Sequence, residues 1–294
     1  MTRRHFLAAS AAALQAQTAP TRFQLAGMTL TYAQFPFARA LNGIRRAGFQ
    51  YVAWGHTHMD ANGKRATLLD WRDPVAKARE ISKMSRDEGL TPVMMFSTVN
   101  LEAAEAAEAH ARRIDQAAEA GIPFVLTFGK TERGAYENAI RTLKQAGPLA
   151  RKAGLTVVVK QHGGNTATGA DILKILGDVG DTGVKMCYDA GNVLDYESKD
   201  PIADIQTCWQ EIRAFCVKDH RDHPKDQDCG PGYGEIDHYK LFAPVMRTGL
   251  TMPLAFENVF PPLVARSQNA EEVDGHNRRA REYVETVLAG LAAV

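Results

Sequence analysis

Ionisable and amide side chains gather at the ends of apolar runs in this sequence. Val157-Val158-Val159 leads into Lys160, with His162 two residues on, and Leu254-Ala255-Phe256 leads into Glu257-Asn258. Met186-Cys187-Tyr188 leads into Asp189 with Asn192 three residues later, and Ala214–Val217 leads into Lys218-Asp219-His220. His56 and His58 follow Val52-Ala53-Trp54. A charge that closes an apolar strand is costly unless it is paired, ligated or wet, so these positions carry either ion pairs or chemistry. Carboxylates and lysines at such positions can serve as general acids, bases or charge stabilisers. The N/O donors Asp189, Glu257, His220 and His162 also suit Zn²⁺, Mn²⁺ or Co²⁺. A purely structural alternative pairs Lys160 with Glu257, or Lys218 with Asp189, as salt bridges.

The elements that must position these groups repeat along the chain. Helical patterns such as Leu101–Ala120, Glu137–Lys152 and Asn269–Leu291 alternate with short apolar runs. A glycine suited to a left-handed helix cap precedes five of those runs, at Gly48, Gly89, Gly121, Gly154 and Gly249. The first four are separated by 41, 32 and 33 residues, the length of a strand-plus-helix unit. Eight strands are expected: Gln24–Leu30, Gln50–Trp54, Pro92–Phe96, Phe124–Phe128, Thr156–Lys160, Val184–Tyr188, Ala214–Lys218 and Met252–Phe256. Alternating strands and helices over this length predict a single-domain (β/α)8 TIM barrel of the α/β class, residues 21–294. An open dinucleotide-binding sheet fits less well, because Gly27-Met28-Thr29-Leu30-Thr31-Tyr32 stands where its glycine-rich turn belongs. In a barrel the working residues project from the C-terminal strand ends, where the polar residues named above fall. Two weaker signals lie nearby: Gly163-Gly164-Asn165-Thr166, which could cradle an anion, and the charged loop His220–Asp228 with Arg221 and His223, which could close over substrate.

With 45% hydrophobic and 23% charged residues among 294, the chain is of globular type, and 35 basic against 34 acidic residues leave no basic surplus for nucleic acid. The four cysteines, Cys187, Cys208, Cys216 and Cys229, contain no C-x-x-C pair. Thr2-Arg3-Arg4 before the apolar run Ala8–Leu14 reads as a twin-arginine signal over residues 1–20, cut near Ala16. The expectation is a periplasmic or secreted protein with no membrane attachment after cleavage, its oligomeric state left open.

Four segments carry a family resemblance: Tyr188-Asp189-Ala190-Gly191-Asn192, Val217-Lys218-Asp219, Gly230–Asp237 and Leu254-Ala255-Phe256-Glu257. With them the chain resembles the xylose isomerase-like TIM barrels, a group of sugar isomerases and epimerases that also holds endonuclease IV and inosose dehydratase. The resemblance implies a carbohydrate isomerase, epimerase or related lyase acting on a small molecule; a non-catalytic carbohydrate-binding barrel with a degenerate metal site is the alternative. It further implies one divalent metal (Mn, Zn, Mg or Co) held by a Glu ending strand five, an Asp ending strand six, a His in strand seven and a Glu ending strand eight. Asp189 and Glu257 match that pattern, whereas Lys160 and Cys216 replace the other Glu and the His. An ammonium at 160 could substitute for the metal charge, act as acid or base, or form a Schiff base if its pKa were depressed. The metal could instead sit further out, on Asp189, Glu257, His220 and His162. The resulting assignment takes Glu257 as acid/base, with Lys160 and Lys218 stabilising an enolate. His56, His162, Asn192 and Arg221 would contact substrate, and Asp189, Glu257 and His220 would hold any metal.

Overall fold

A computed structural model describes residues 19–60 and 62–293. Of the expected export segment, residues 1–20, all but the last two lie outside the described residues. Eight parallel strands close a barrel: β1 (Arg22–Met28), β2 (Tyr51–Trp54), β3 (Thr91–Phe96), β4 (Phe124–Phe128), β5 (Thr156–Lys160), β6 (Val184–Tyr188), β7 (Ile212–Val217) and β8 (Thr251–Phe256). Each strand neighbours the next, and β8 returns to β1 with Leu25 opposite Leu254 and Ala26 opposite Ala255. The barrel expected from the alternating pattern is therefore the fold. Around it run α1 (Phe37–Arg46), α2 (Val75–Asp87), α3 (Ala106–Ala120), α4 (Tyr136–Lys152), α5 (Gly169–Val179), α6 (Ala190–Glu197), α7 (Pro201–Cys208), α8 (His238–Phe242) and α9 (Ala270–Ala292). Gly48, Gly89, Gly121 and Gly154 follow helix ends and take positive φ, as the cap positions require; Gly249 also has positive φ but lies in the turn before β8, not at a helix end.

Strand side chains alternate between two cores. Trp54, Val157, Val159, Leu254 and Phe256 face outward into the helix layer. Ala26, Ala53, Met94, Leu126, Val158, Cys187, Ala214, Cys216 and Ala255 fill the barrel interior. One further step of two residues along four strands takes the inward row from Val158 to Lys160, Cys187 to Asp189, Cys216 to Lys218 and Ala255 to Glu257. Register alone thus aims four charged groups at the C-terminal mouth. Closure is reinforced between the first and last helices, where Asp274 accepts from Tyr32 at 2.9 Å and from both terminal nitrogens of Arg39 at 3.0 Å.

Three expectations shift. β1 runs from Arg22 to Met28, because Thr29–Tyr32 turns into a 3-10 helix. α3 begins at Ala106 instead of Leu101, since the intervening residues are held by the loops after β4 and β5. Leu101 N–H donates to Phe128 O, and buried Glu102 accepts from Lys130 N–H at 3.0 Å and Asn165 Nδ2 at 3.1 Å. β7 stops at Val217, and Asp219–Arg221 pairs antiparallel with Gln227–Cys229 in a hairpin over the mouth. A second hairpin, Thr57–Met59 with Arg65–Thr67, follows β2.

Candidate active site

Lys160 is the centre of the mouth. Its Nζ donates to Glu257 Oε1 at 2.8 Å and Oε2 at 2.9 Å, and lies 3.1 Å from Asp189 Oδ2. The side chains of Lys160 and Asp189 are 3% and 0% exposed, while that of Glu257 retains 15%, so Glu257 is the most accessible of the three. The Phe128 ring lies under the ammonium at 5.7 Å. Beside this triad, Lys218 Nζ donates to Asn192 Oδ1 and, at 2.7 Å, to Asp228 Oδ2. Gly191 at the start of α6 makes room for that lysine, because a Cβ there would lie 2.6 Å from Lys218 Cε. Asp189 caps α6 by accepting from Asn192 N–H at 3.0 Å, and its own N–H donates to Gln161 Oε1 at 2.9 Å. Asn192 Nδ2 returns a bond to Gln161 O at 2.6 Å. The strand-end carboxylate is thereby held by the first turn of α6, and its backbone by the residue after β5.

Charge coupling sets the protonation states. Burial alone would depress the Lys160 ammonium, but Glu257 and Asp189 outweigh it and hold the pKa well above the ordinary lysine value. Burial likewise opposes ionisation of Glu257, yet Lys160 and Lys218 bring its carboxyl down to about 2. For Asp189 burial dominates over the two lysines, and with the charge of Glu257 it raises the carboxyl to about 6. Lys218 stays protonated, its burial outweighed by Asp189 and Glu257. A Schiff base needs a neutral amine, so the depressed lysine envisaged at 160 gives way to a permanent ammonium that donates hydrogen bonds.

Asp189, Cys216 and Glu257 each place a donor atom within 4.8 Å of the others, at the strand ends where the resemblance implies a metal. The residues present do not fit a metal there. The Lys160 ammonium already stands between the two carboxylates, and a divalent ion about 4 Å from it would meet about 8 kcal/mol of repulsion at an effective dielectric of about 20. Burial also pushes the Cys216 thiol well up, away from the thiolate a metal needs, and its sulfur sits 3.9 Å from Cys187 Sγ.

The remaining sequence candidates divide. His162 joins the mouth: Nδ1 bonds Gly129 O at 2.9 Å, the ring packs on Phe128 with centroids 4.4 Å apart, and burial together with Lys160 lowers its pKa. Asn192 is buried and committed to Gln161 and Lys218. His56 lines a small cavity at the ends of β2 and β3 with Trp54, Met95, Phe96 and Arg113; its Nδ1 is buried without a partner. His58 is a structural residue, bonding Thr29 Oγ1 at 3.0 Å and Phe35 O at 3.2 Å. Arg221 donates to His223 O at 2.6 Å within its own loop. His220 stands apart from Asp189 and Glu257, grouped instead with Asp195 and Asp226. The Gly163-Gly164 turn packs on backbone carbonyls: a Cβ on Gly164, at φ +55°, would lie 2.4 Å from Lys130 O. That close approach, with Thr168 and Asp204 already capping α5, accounts for the glycines without an anion. Sequence reading missed Gln161 and Asp195, which carry no motif, and took Asp226 and Asp228 only as part of the charged loop His220–Asp228.

Residues 41–273 match the family described as xylose isomerase-like TIM barrel. No curated protein matches the sequence. A xylose isomerase-like TIM barrel protein from Mycobacterium smegmatis in complex with magnesium superposes with TM-score 0.70 at 17% identity, over 94% of this chain and 99% of that one. An L-ribulose 3-epimerase gives 0.68 at 16% identity, over 91% and 95%. A D-allulose 3-epimerase from Methylomonas sp. in complex with D-allulose gives 0.66 at 15%, over 92% and 99%. At such identities the structural likeness establishes the fold. The family match over most of the chain, together with the closed eight-stranded barrel, makes this protein a member of the xylose isomerase-like TIM barrel family.

Proposed function

We propose that the protein is a sugar or polyol isomerase, epimerase or related lyase that moves a proton next to a carbonyl, with the Lys160 ammonium as the fixed positive centre. The observation that carries this reading is the Lys160–Glu257–Asp189 triad at the barrel mouth, with Glu257 as its reachable carboxylate. Two structural neighbours bear epimerase names, one with its ketose bound, which favours a carbohydrate substrate. In the resting state Lys160 clamps Glu257 in its ionised, weakly basic form. When a substrate carbonyl or hydroxyl oxygen takes over the hydrogen bonds of Lys160, that clamp loosens and Glu257 becomes basic enough to remove the adjacent proton. Lys160 then holds the enolate oxygen, and Lys218 adds a second positive charge. Asp189, near neutral in pKa, orients Lys160 from behind.

Incubating the protein in deuterium oxide with a panel of ketopentoses and ketohexoses, under chelator, tests this by NMR. Deuterium should enter at the carbon beside the carbonyl of at least one sugar without added metal. Sugar binding with no exchange in any of them would instead support the non-catalytic carbohydrate-binding reading, which the closed ion triad also accommodates.

Export by the folded-protein pathway is proposed on Thr2-Arg3-Arg4 and the apolar run behind it. Replacing Arg3 and Arg4 together with lysine should leave unprocessed precursor in the cytoplasm, as read by fractionation and precursor size. Unchanged processing of the double variant would remove the basis for that proposal.

A further inference from the structure

The hairpin after β7 carries a side-chain group that the triad does not use. His220 is 1% exposed, yet its Nε2 is buried with no hydrogen-bond partner. Carboxylates nevertheless crowd that nitrogen, Asp226 Oδ1 at 3.2 Å and Asp222 Oδ1 at 3.4 Å, misaligned for a bond along N–H. Asp195 on α6 completes a set in which one donor atom each from Asp195, His220 and Asp226 lies within 4.8 Å of the others. On the opposite side of the ring, Nδ1 meets Asp228 Oδ1 at 3.1 Å. Asp228 can only accept there, so Nδ1 is a donor and Nε2 faces the other carboxylates, the carboxylate–histidine–metal order of metalloprotein outer shells. Burial disfavours the imidazolium, but Asp228, Asp195 and Asp226 outweigh it and raise the pKa, so a bound cation would take the place of the Nε2 proton. Asp228 is itself balanced by Lys218, leaving Asp195, Asp222 and Asp226 as an excess of negative charge around one imidazole.

We propose that Asp195, His220 Nε2 and Asp226 bind a divalent cation of the Zn²⁺ or Mn²⁺ type, at a site separate from the position that Lys160 closes. Ligand arms of about 2.0–2.1 Å place neighbouring donors of a tetrahedron about 3.3–3.4 Å apart, close to the observed Nε2–Asp226 separation. Inward movement of Asp195 then suffices to complete three protein ligands, with water or Asp222 as the fourth. The ion would tie the hairpin to α6 and thereby hold Asp228 on Lys218 at the edge of the mouth. The site stands independently of the proposed reaction, since it rests on no substrate.

Calorimetry with Zn²⁺ or Mn²⁺ on the chelator-stripped full chain tests it, with Co²⁺ spectra as a second readout. One ion per chain should bind, and Asp226→Asn, a change at an exposed side chain, should weaken it by at least about tenfold. Asp195→Asn should do the same, and Cys216→Ser should leave the affinity unaltered. The Co²⁺ spectrum should lack a thiolate charge-transfer band. Absence of stoichiometric binding in the wild type would overturn the proposal, as would binding that survives Asp226→Asn and Asp195→Asn but is lost in Cys216→Ser. Deuterium exchange into a sugar under chelator would be unaffected by either failure, so the two readings are separable.

Discussion

Lys160→Met lowers the stability of the protein by about 3–5 kcal/mol at neutral pH, the cost of leaving buried carboxylates without their counter-charge. The side chain it replaces is 3% exposed and touches both Glu257 and Asp189. Methionine matches the aliphatic stem closely, so packing contributes little to the loss. The pH dependence separates this from a cavity effect. Without the ammonium, both carboxyls rise in the folded state above their ordinary values of 3.8 and 4.5. The folded variant then binds more protons than the unfolded chain across that range, and its stability falls as pH rises, by up to about 1.4 kcal/mol per unit for each extra proton. Denaturant titrations of wild type and variant between pH 4.5 and 8 should show the difference widening toward pH 8. A constant offset across the range would mean that volume, not charge, accounts for the loss.

Glu257→Gln lowers turnover by about 10²–10⁴-fold, the range for removing a general base, while the protein stays folded. The amide keeps the shape and an acceptor oxygen for Lys160, and Asp189 still neutralises the ammonium at 3.1 Å. The loss of stability should therefore be smaller than for Lys160→Met. Its sign with pH is the reverse of the Lys160 case. In the wild type, Glu257 is depressed from 4.5 to about 2 against the pull of burial, by Lys160 and Lys218. That contribution is complete above pH 4.5 and disappears as pH falls through about 2, so the Gln variant loses acid-labile stability and converges with wild type in strong acid. Exchange rates on the deuterium-incorporating sugar and thermal melts check both halves. Wild-type turnover, or collapse of the melting transition, would instead identify Glu257 as an ion-pair partner alone.

The amino-acid sequence by itself determined the barrel and the residues facing its mouth, because both follow from local periodicity. The glycines at 48, 89, 121 and 154 take positive φ at helix ends as their spacing implied, and the alternation that buries Val158 and Ala255 inside the barrel necessarily aims Lys160 and Glu257 the same way. The substitution of Lys160 and Cys216 in the metal pattern was legible for the same reason, as single positions in a known register. What only the tertiary structure decided depends on distances between distant segments. That Lys160 bonds both oxygens of Glu257, 97 residues away, fixes it as a permanent cation, whereas burial alone would have favoured a neutral amine. That His58 belongs to Thr29 and Phe35 was invisible, since neither partner is near it in sequence. The grouping of Asp195 on α6 with His220 and Asp226 of a hairpin depends on the chain reversing after Val217, which no apolar period signals. Periodicity specifies the direction in which a side chain leaves its strand; which partner it meets there is set by loops whose course only the packed barrel fixes.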